Sequence, residues 1–160
     1  MTPRANVSCI QFGAVVEYTD MRILAIGVLV AACGTTKPPA TDTRPLFVRL
    51  GGQPAINAVV HEFVVATKAD NRINQYFMNT DPVKLEEAMD DHVCAITGGG
   101  CTYKGKSMTA AHTGMKLRDP DFAAFVEDLQ MVLDKLKVPA RESGEVLAAF
   151  RGMQGEVVGH

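Results

Sequence analysis

Tryptophan is absent from these 160 residues, and histidine occurs only at His61, His92, His112 and His160. A metal site built from several clustered histidines is thereby excluded, while a site that needs a single one is not. A basic cluster is missing too. The 16 Lys and Arg are interspersed with 18 Asp and Glu, for a formal net charge of −2. The positive surface that nucleic acid requires is therefore lacking, and no nucleic-acid partner is expected. No apolar run approaches the roughly 20 residues that a membrane-crossing helix needs, and no stretch alternates apolar and polar residues with period two, so strands are not expected. What is present is globular in kind, 47% hydrophobic and 21% charged, a balance far from that of disordered chains. The length suits one domain with a short extension.

That extension is legible at the N-terminus. Residues 23–32 form an apolar run behind Met21-Arg22, too short to span a bilayer but of the length of a signal-peptide core. It ends in Val30-Ala31-Ala32-Cys33, where small side chains leave the backbone open to a peptidase and the Cys33 thiol can take a lipid. The stretch resembles a bacterial lipoprotein lipobox. A buried helix that happens to end in Ala-Ala-Cys is the alternative, and the Pro- and Thr-rich residues that follow argue against it as tether composition. The expected organisation is an export signal over residues 1–33, a flexible linker over 34–43 and a globular domain over 44–160. Residues 1–20 lack a basic cluster and carry Glu17 and Asp20, wrong for the start of a signal, so Met21 is an alternative start. The expected location is outside the cytoplasmic membrane, anchored by lipid, or cytoplasmic if the N-terminus is not a signal. Residues 1–33 carry two basic and two acidic groups, so their removal leaves the charge at −2.

In the globular part, Ile56, Val59, Val60, Phe63, Val64 and Thr67 recur at helical spacing and predict one helix with a core-facing stripe. Asp70-Asn71 predicts a short turn-like helix through Tyr76-Phe77. Asp81-Pro82 places a capping residue before Pro at the first helical position. The helix it opens carries Leu85, Ala88, Met89, His92, Val93 and Ile96 on one side and Glu86, Glu87, Asp90 and Asp91 on the other, then stops at Gly98-Gly99-Gly100. Asp119-Pro120 opens a further helix with the stripe Phe122, Phe125, Val126, Leu129, Val132, Leu133 and Leu136. Pro139 opens the last, with Val146, Leu147, Phe150 and Met153. The reading is all-α, about four main helices with an irregular, glycine-rich segment over residues 98–118, the place to look for chemistry.

Several separated motifs then agree. Leu46-Phe47-Val48-Arg49-Leu50-Gly51-Gly52 is similar to a short first helix and its Gly-Gly turn, and Ala69-Asp70 to Tyr76-Phe77 to a corner carrying a cofactor-contacting Phe. Gly98-Gly99, Tyr103-Lys104-Gly105-Lys106-Ser107-Met108 and Ala111-His112-Thr113-Gly114-Met115 follow in order. Taken together, residues 44–158 resemble the group 1 truncated globins. The resemblance implies a two-over-two helical sandwich that holds haem b, with His112 as the proximal iron ligand, since a neutral imidazole nitrogen is a good axial donor. It puts Tyr103 and Lys106 at the haem propionates, where a Lys ammonium is a charge-assisted donor, with a solvated loop lysine as the alternative reading of Lys106. Phe77 is expected against the porphyrin face, with Met108, Met115, Leu117, Phe122 and Val126 lining the pocket.

On the distal side the chain departs from well-known members. Val64 follows Phe63 where many have a Tyr, and the usual polar or gating positions of the next long helix are Leu85, Ala88 and Met89, none of which donates a hydrogen bond. A distal donor stabilises the negative charge that dioxygen takes up at ferrous iron, so its absence implies faster O2 loss and weaker discrimination against CO. His92 lies one helical turn after Met89 and offers a donor or a sixth ligand. His61, three residues before Val64, is a more distant candidate. Cys94 and Cys101 flank the triple glycine and, in an exported protein, read as a disulfide; a zinc site from His92, Cys94 and Cys101 is the alternative and lacks a fourth ligand. The function implied is reversible binding of a diatomic gas, O2, NO or CO, for transport or sensing. NO dioxygenation or peroxidase-like turnover is the enzymatic alternative and needs an electron donor for which the chain shows no flavin or nicotinamide module. A haem-free helical lipoprotein acting as an interaction module is the third reading.

Overall fold

The computed structural model describes residues 42–160. The export signal, Cys9, Cys33 and the linker up to residue 41 lie outside the described residues. Among those described there are helices and no strands. α1, Leu46–Leu50, ends at Gly51 and Gly52, whose φ angles of 107° and 74° lie where L side chains are strained. The Gly52 amide closes the turn on the Phe47 carbonyl at 2.9 Å. α2, Gln53–Ala69, buries Ile56, Val60, Phe63, Val64 and Thr67, the stripe that helical periodicity predicts. A 3₁₀ turn, Asn74–Tyr76, leads to α3, Pro82–Ile96. The Asp81 carboxylate caps α3 by accepting from the amides of Val83, at 2.9 Å, and Lys84, at 3.4 Å.

The glycine-rich segment contains a one-turn helix, α4, Met108–His112, capped by Ser107 Oγ, which accepts from the Ala110 amide at 3.2 Å. α5, Asp119–Lys135, starts where Asp-Pro predicts. The capping carboxylate is nevertheless Asp121, which accepts from the Arg118 amide at 3.0 Å. α6, Ala140–Arg151, follows Pro139, and α7, Gln154–Val157, ends the fold.

α2 pairs with α3 and α5 with α6, and α2 lies against α5 between the pairs. Their facing stripes meet in one core, with Ile56, Val60 and Phe63 from α2, Leu129, Val132 and Leu133 from α5, and Val146, Leu147 and Phe150 from α6. Of the expected stripes, Ala88 is exposed within α3, and two large apolar residues, Ile96 and Leu136, are exposed at helix ends. Each of these two stands at the C-terminal end of its helix, where the chain turns away before the next element can cover it; Cys94, fully buried, takes the core position on α3 instead. α1 is pinned to α6 by the buried Arg49 guanidinium, which donates to Glu142 at 2.5 Å and also to Glu145.

Candidate cofactor site

The elements around α4 leave a cleft of about 330 Å³, at the lower end of the roughly 300–1,000 Å³ range of ligand pockets. Leu85, Ala88, Met89 and His92 line it from α3. Met108, Ala111 and His112 line it from α4, and Met115 and Leu117 from the turn that follows. Phe122 and Phe125 of α5 and Phe150 of α6 close the back, and Ile73, Tyr76, Phe77 and Thr80 form the corner. The wall is therefore aromatic and thioether-rich, with few polar groups, the composition of a site for a large apolar cofactor.

His112 is held by a hydrogen bond within its own helix. Its Nδ1 lies 2.7 Å from the Met108 carbonyl, one turn earlier in the same short helix. A carbonyl only accepts, so Nδ1 carries the proton and donates, and Nε2 keeps its lone pair. This is the arrangement by which backbone carbonyls orient metal-binding imidazoles and raise their basicity. α4 itself is held at its far end, where the Lys116 amide donates to the His160 carbonyl and the Gly159 amide to the Leu117 carbonyl, both at 3.0 Å.

His92 presents the other imidazole. Its ring is edge-on to Tyr103 at 4.9 Å and to Phe150 at 6.4 Å, and its Nε2 is buried without a hydrogen-bond partner. Burial pushes its pKa below the usual histidine range, with Glu156 pulling the other way, so the ring is neutral at neutral pH. An imidazole donor on α4, a second neutral imidazole with an orphaned nitrogen on the wall, and a mainly apolar lining together fit haem.

Phe77, Tyr103, Met108, Met115, Leu85, Met89, His92 and His112 come together in the cleft as the sequence predicts. Phe63 and Val64 do not. Both are buried in the core, one layer behind the wall, where Phe63 packs edge-on against Phe125 at 4.7 Å and supports it. Val126 is likewise in the core and outside the lining. Lys106 is exposed in the loop and is no part of the wall. His61 faces outward, its Nδ1 3.1 Å from Glu86. A disulfide joins Cys94 to Cys101, with the Cα atoms 5.7 Å apart, so neither sulfur is free to ligate zinc.

Sequence reasoning missed Tyr76 and Asp121. The Tyr76 hydroxyl donates to Asp121 Oδ2 at 3.3 Å, and the same carboxylate takes Arg118 Nε at 3.1 Å and Nη2 at 3.2 Å. The Arg118 guanidinium holds the Asp121 carboxyl below the usual carboxylate range, and burial beside that carboxylate raises the Tyr76 phenol. This polar knot ties the corner to α5, and its hydroxyl is already committed. The Asp119-Pro120 pair beside it signalled only a helix start. A second cavity of about 280 Å³, lined by Val59, Phe63, Val93 and Leu129 among others, shares Met89 and Phe150 with the cleft.

A model of the bacterial-like globin family matches residues 45–158. The Group 1 truncated hemoglobin of Tetrahymena thermophila is 34% identical over 114 residues, covering 71% of this chain and 94% of the relative. The crystal structure of truncated hemoglobin from Tetrahymena pyriformis in its Fe(III) form superposes with a TM-score of 0.71 at 32% identity, over 73% of this chain and 100% of that one. The 2/2 hemoglobin from Synechococcus sp. PCC 7002, in the cyanomet state and with covalently attached heme, superposes at 0.69 with 31% identity and the same coverage.

Proposed function

This chain belongs to the group 1 truncated hemoglobins within the bacterial-like globin family, and we propose that it holds haem b through His112 and reversibly binds dioxygen. Membership makes it a haem globin that binds a gas. The assignment of His112 rests on one observation, the Nδ1 hydrogen bond to the Met108 carbonyl, which leaves Nε2 as a lone-pair donor in a cleft lined mainly by apolar side chains. When bound, the haem supplies the iron at which the gas is taken up and released. The chain's own contribution is to orient the imidazole, exclude water with Phe77, Met89, Phe122 and Phe150, and leave three positions of the α3 wall, Leu85, Ala88 and Met89, without a hydrogen-bond donor. The Tyr76 hydroxyl is spent on Asp121, and the free polar group on α3 is the unpartnered Nε2 of His92. The donor-free stretch favours rapid exchange of gas over tight retention, which supports carriage or sensing. The adjacent apolar cavity, sharing Met89 and Phe150 with the cleft, suits small uncharged molecules.

The test is the absorption spectrum of the haem-reconstituted chain in ferric, ferrous and CO forms, beside His112→Ala. A stoichiometric Soret band that is lost or weakened in the variant is the expected result. A wild-type spectrum unchanged by the substitution would remove His112 from its role.

The lipoprotein reading of residues 1–33 is likewise proposed. It is supported by the lipobox-like Val30-Ala31-Ala32-Cys33 and by the Cys94–Cys101 disulfide, since disulfides persist in oxidising compartments. Incorporation of radiolabelled palmitate in a bacterial host, abolished by Cys33→Ser, is the expected result, and unlabelled protein in the soluble fraction would refute it.

A further inference from the structure

We propose that the Cys94–Cys101 disulfide is a covalent clasp on the haem-holding segment, so that haem retention depends on the thiol state of this pair. The inference rests on the haem reading above and goes beyond it. One wall of the cleft is α3, with Leu85, Met89 and His92; the other is the segment after Gly100, with Tyr103, Met108 and His112. Among the described residues, those from Gly100 to Lys106 neither donate nor accept a hydrogen bond. The nearest bonds are those of the Gly99 amide to the Cys94 carbonyl, at 2.8 Å, and of Ser107 inside the α4 cap.

Two other attachments hold this stretch to α3. One is the bridge, from the fully buried Cys94 to the exposed Cys101. The other is the edge contact of Tyr103 with His92. The two pairs run antiparallel, 94 on the helix with 101 on the segment and 92 with 103, so the covalent link sets the register in which Tyr103 meets His92 at the cleft wall. Without it, the aromatic contact is the remaining attachment of residues 101–106 to α3, while α4 keeps its packing on α7, the seating of Met108 on the core and the bonds beyond its far end through Lys116 and Gly159.

A dithiol opens the bridge in two balanced steps. Its thiolate attacks the exposed Cys101 sulfur, forms a mixed disulfide and expels Cys94 as a thiolate, which takes up a proton. Its second sulfur then displaces Cys101, likewise protonated, and closes as the reductant's own disulfide. The protein gains two electrons and two protons, and the dithiol loses them. Because Cys94 is wholly buried, it is a poor leaving group while the segment is closed, and reduction proceeds when the segment lifts. Haem, gripped between the two walls, opposes that lifting. Coupling is reciprocal, so the bridge slows haem loss and haem protects the bridge.

The experiment uses the full chain in a Cys9→Ser/Cys33→Ser background, so that no other thiol reports, with the haem ferrous and CO-bound so that the dithiol leaves the iron unchanged. Haem transfer to an excess of a haem-scavenging apoprotein is followed at the Soret band, with Cys101→Ser compared against the bridged chain. The expected result is haem loss about 5- to 60-fold faster, the upper figure being the whole closure entropy of a loop this short. A change under about 2-fold overturns the proposal, the bridge then being worth almost none of that entropy to the site. If Cys101→Ser does not fold, the bridged chain alone decides. Dithiothreitol must reduce the pair several-fold more slowly with haem than without, and equal rates overturn the proposal. A bridged chain that takes no haem overturns the haem reading and this inference together, whereas a haem-binding chain indifferent to the bridge overturns this inference alone.

Discussion

Replacing Gly99 by alanine would set a methyl carbon 2.5 Å from the Cys94 sulfur, 2.5 Å from Cδ2 of Phe47 and 2.7 Å from its Cε2. Unstrained heavy atoms sit at about 3.5–4.0 Å, so about 1 Å of space must be made on two sides at once. Neither neighbour is free to give it. Cys94 is fully buried and bridged, and Phe47 packs on the core while its amide donates to the Thr97 carbonyl at 2.9 Å. Overpacking of this kind costs about 1–3 kcal/mol, and for a domain of this size about 2 kcal/mol lowers Tm by roughly 6–10 °C. The same substitution elsewhere has a different sign. Gly144 is an exposed residue of α6 with nothing within 4 Å of the added carbon, so alanine there gains about 0.8–1 kcal/mol of helix propensity. Gly100 is equally unobstructed but has φ 78°, so alanine pays about 1 kcal/mol for a left-handed backbone. Thermal unfolding of the haem-free, oxidised variants by far-ultraviolet circular dichroism should rank them Gly144→Ala, wild type, Gly100→Ala, Gly99→Ala in falling Tm. A Gly99→Ala protein within about 1 °C of wild type would refute the claim that α1 and the disulfide close tightly on this residue.

Three further outcomes are expected. Asp128 is 5% exposed with one carboxylate oxygen lacking a partner, and burial, reinforced by Asp70 and Glu127 against Arg72, raises its pKa. Its ionised form therefore weakens the fold at neutral pH, and the cost fades as pH falls through the raised value. Asp128→Asn should raise Tm by about 2–5 °C at pH 7 and by less near about pH 4, and an equal gain at both would contradict the assignment. His92 is shifted the other way. Below about pH 6.5 the unfolded chain takes up a proton that the native ring resists, so stability drops as pH falls from there toward the native value. His92→Phe should lose less Tm than wild type between about pH 7 and pH 5, and parallel curves would show that His92 does not carry this acid sensitivity. Met89→Gln brings an amide donor to the distal wall, and stopped-flow O2 dissociation should slow about 3- to 10-fold, the worth of one hydrogen bond; an unchanged rate would show that the amide does not reach the gas.

The helices were legible because their signals are local. Asp81 before Pro82, the glycines after Ile96, Pro139 before α6 and the apolar stripe of α2 each act over a few neighbours in the chain, and the structure has helices at each of them. His112 and the cleft residues of α3 and α4 were legible through ordered motifs, because spacing along a helix determines which side chains share a face. Depth was not legible. Phe63 and Val64 stand one layer behind the wall and Val126 lies in the core, because how far a side chain is from a cleft depends on the side chains that other helices place in front of it. The committed Tyr76 hydroxyl, the orphaned Nε2 of His92 and the burial of Arg49 against carboxylates 93 and 96 residues away belong to the same class. By itself the sequence determined an all-α chain with His112 in a motif that the structure sets on the cleft wall, since periodicity, capping and motif order are properties of neighbours. Only the tertiary structure decided which polar groups are satisfied and which stand alone at the cleft, since that is set by contacts between segments far apart in the chain.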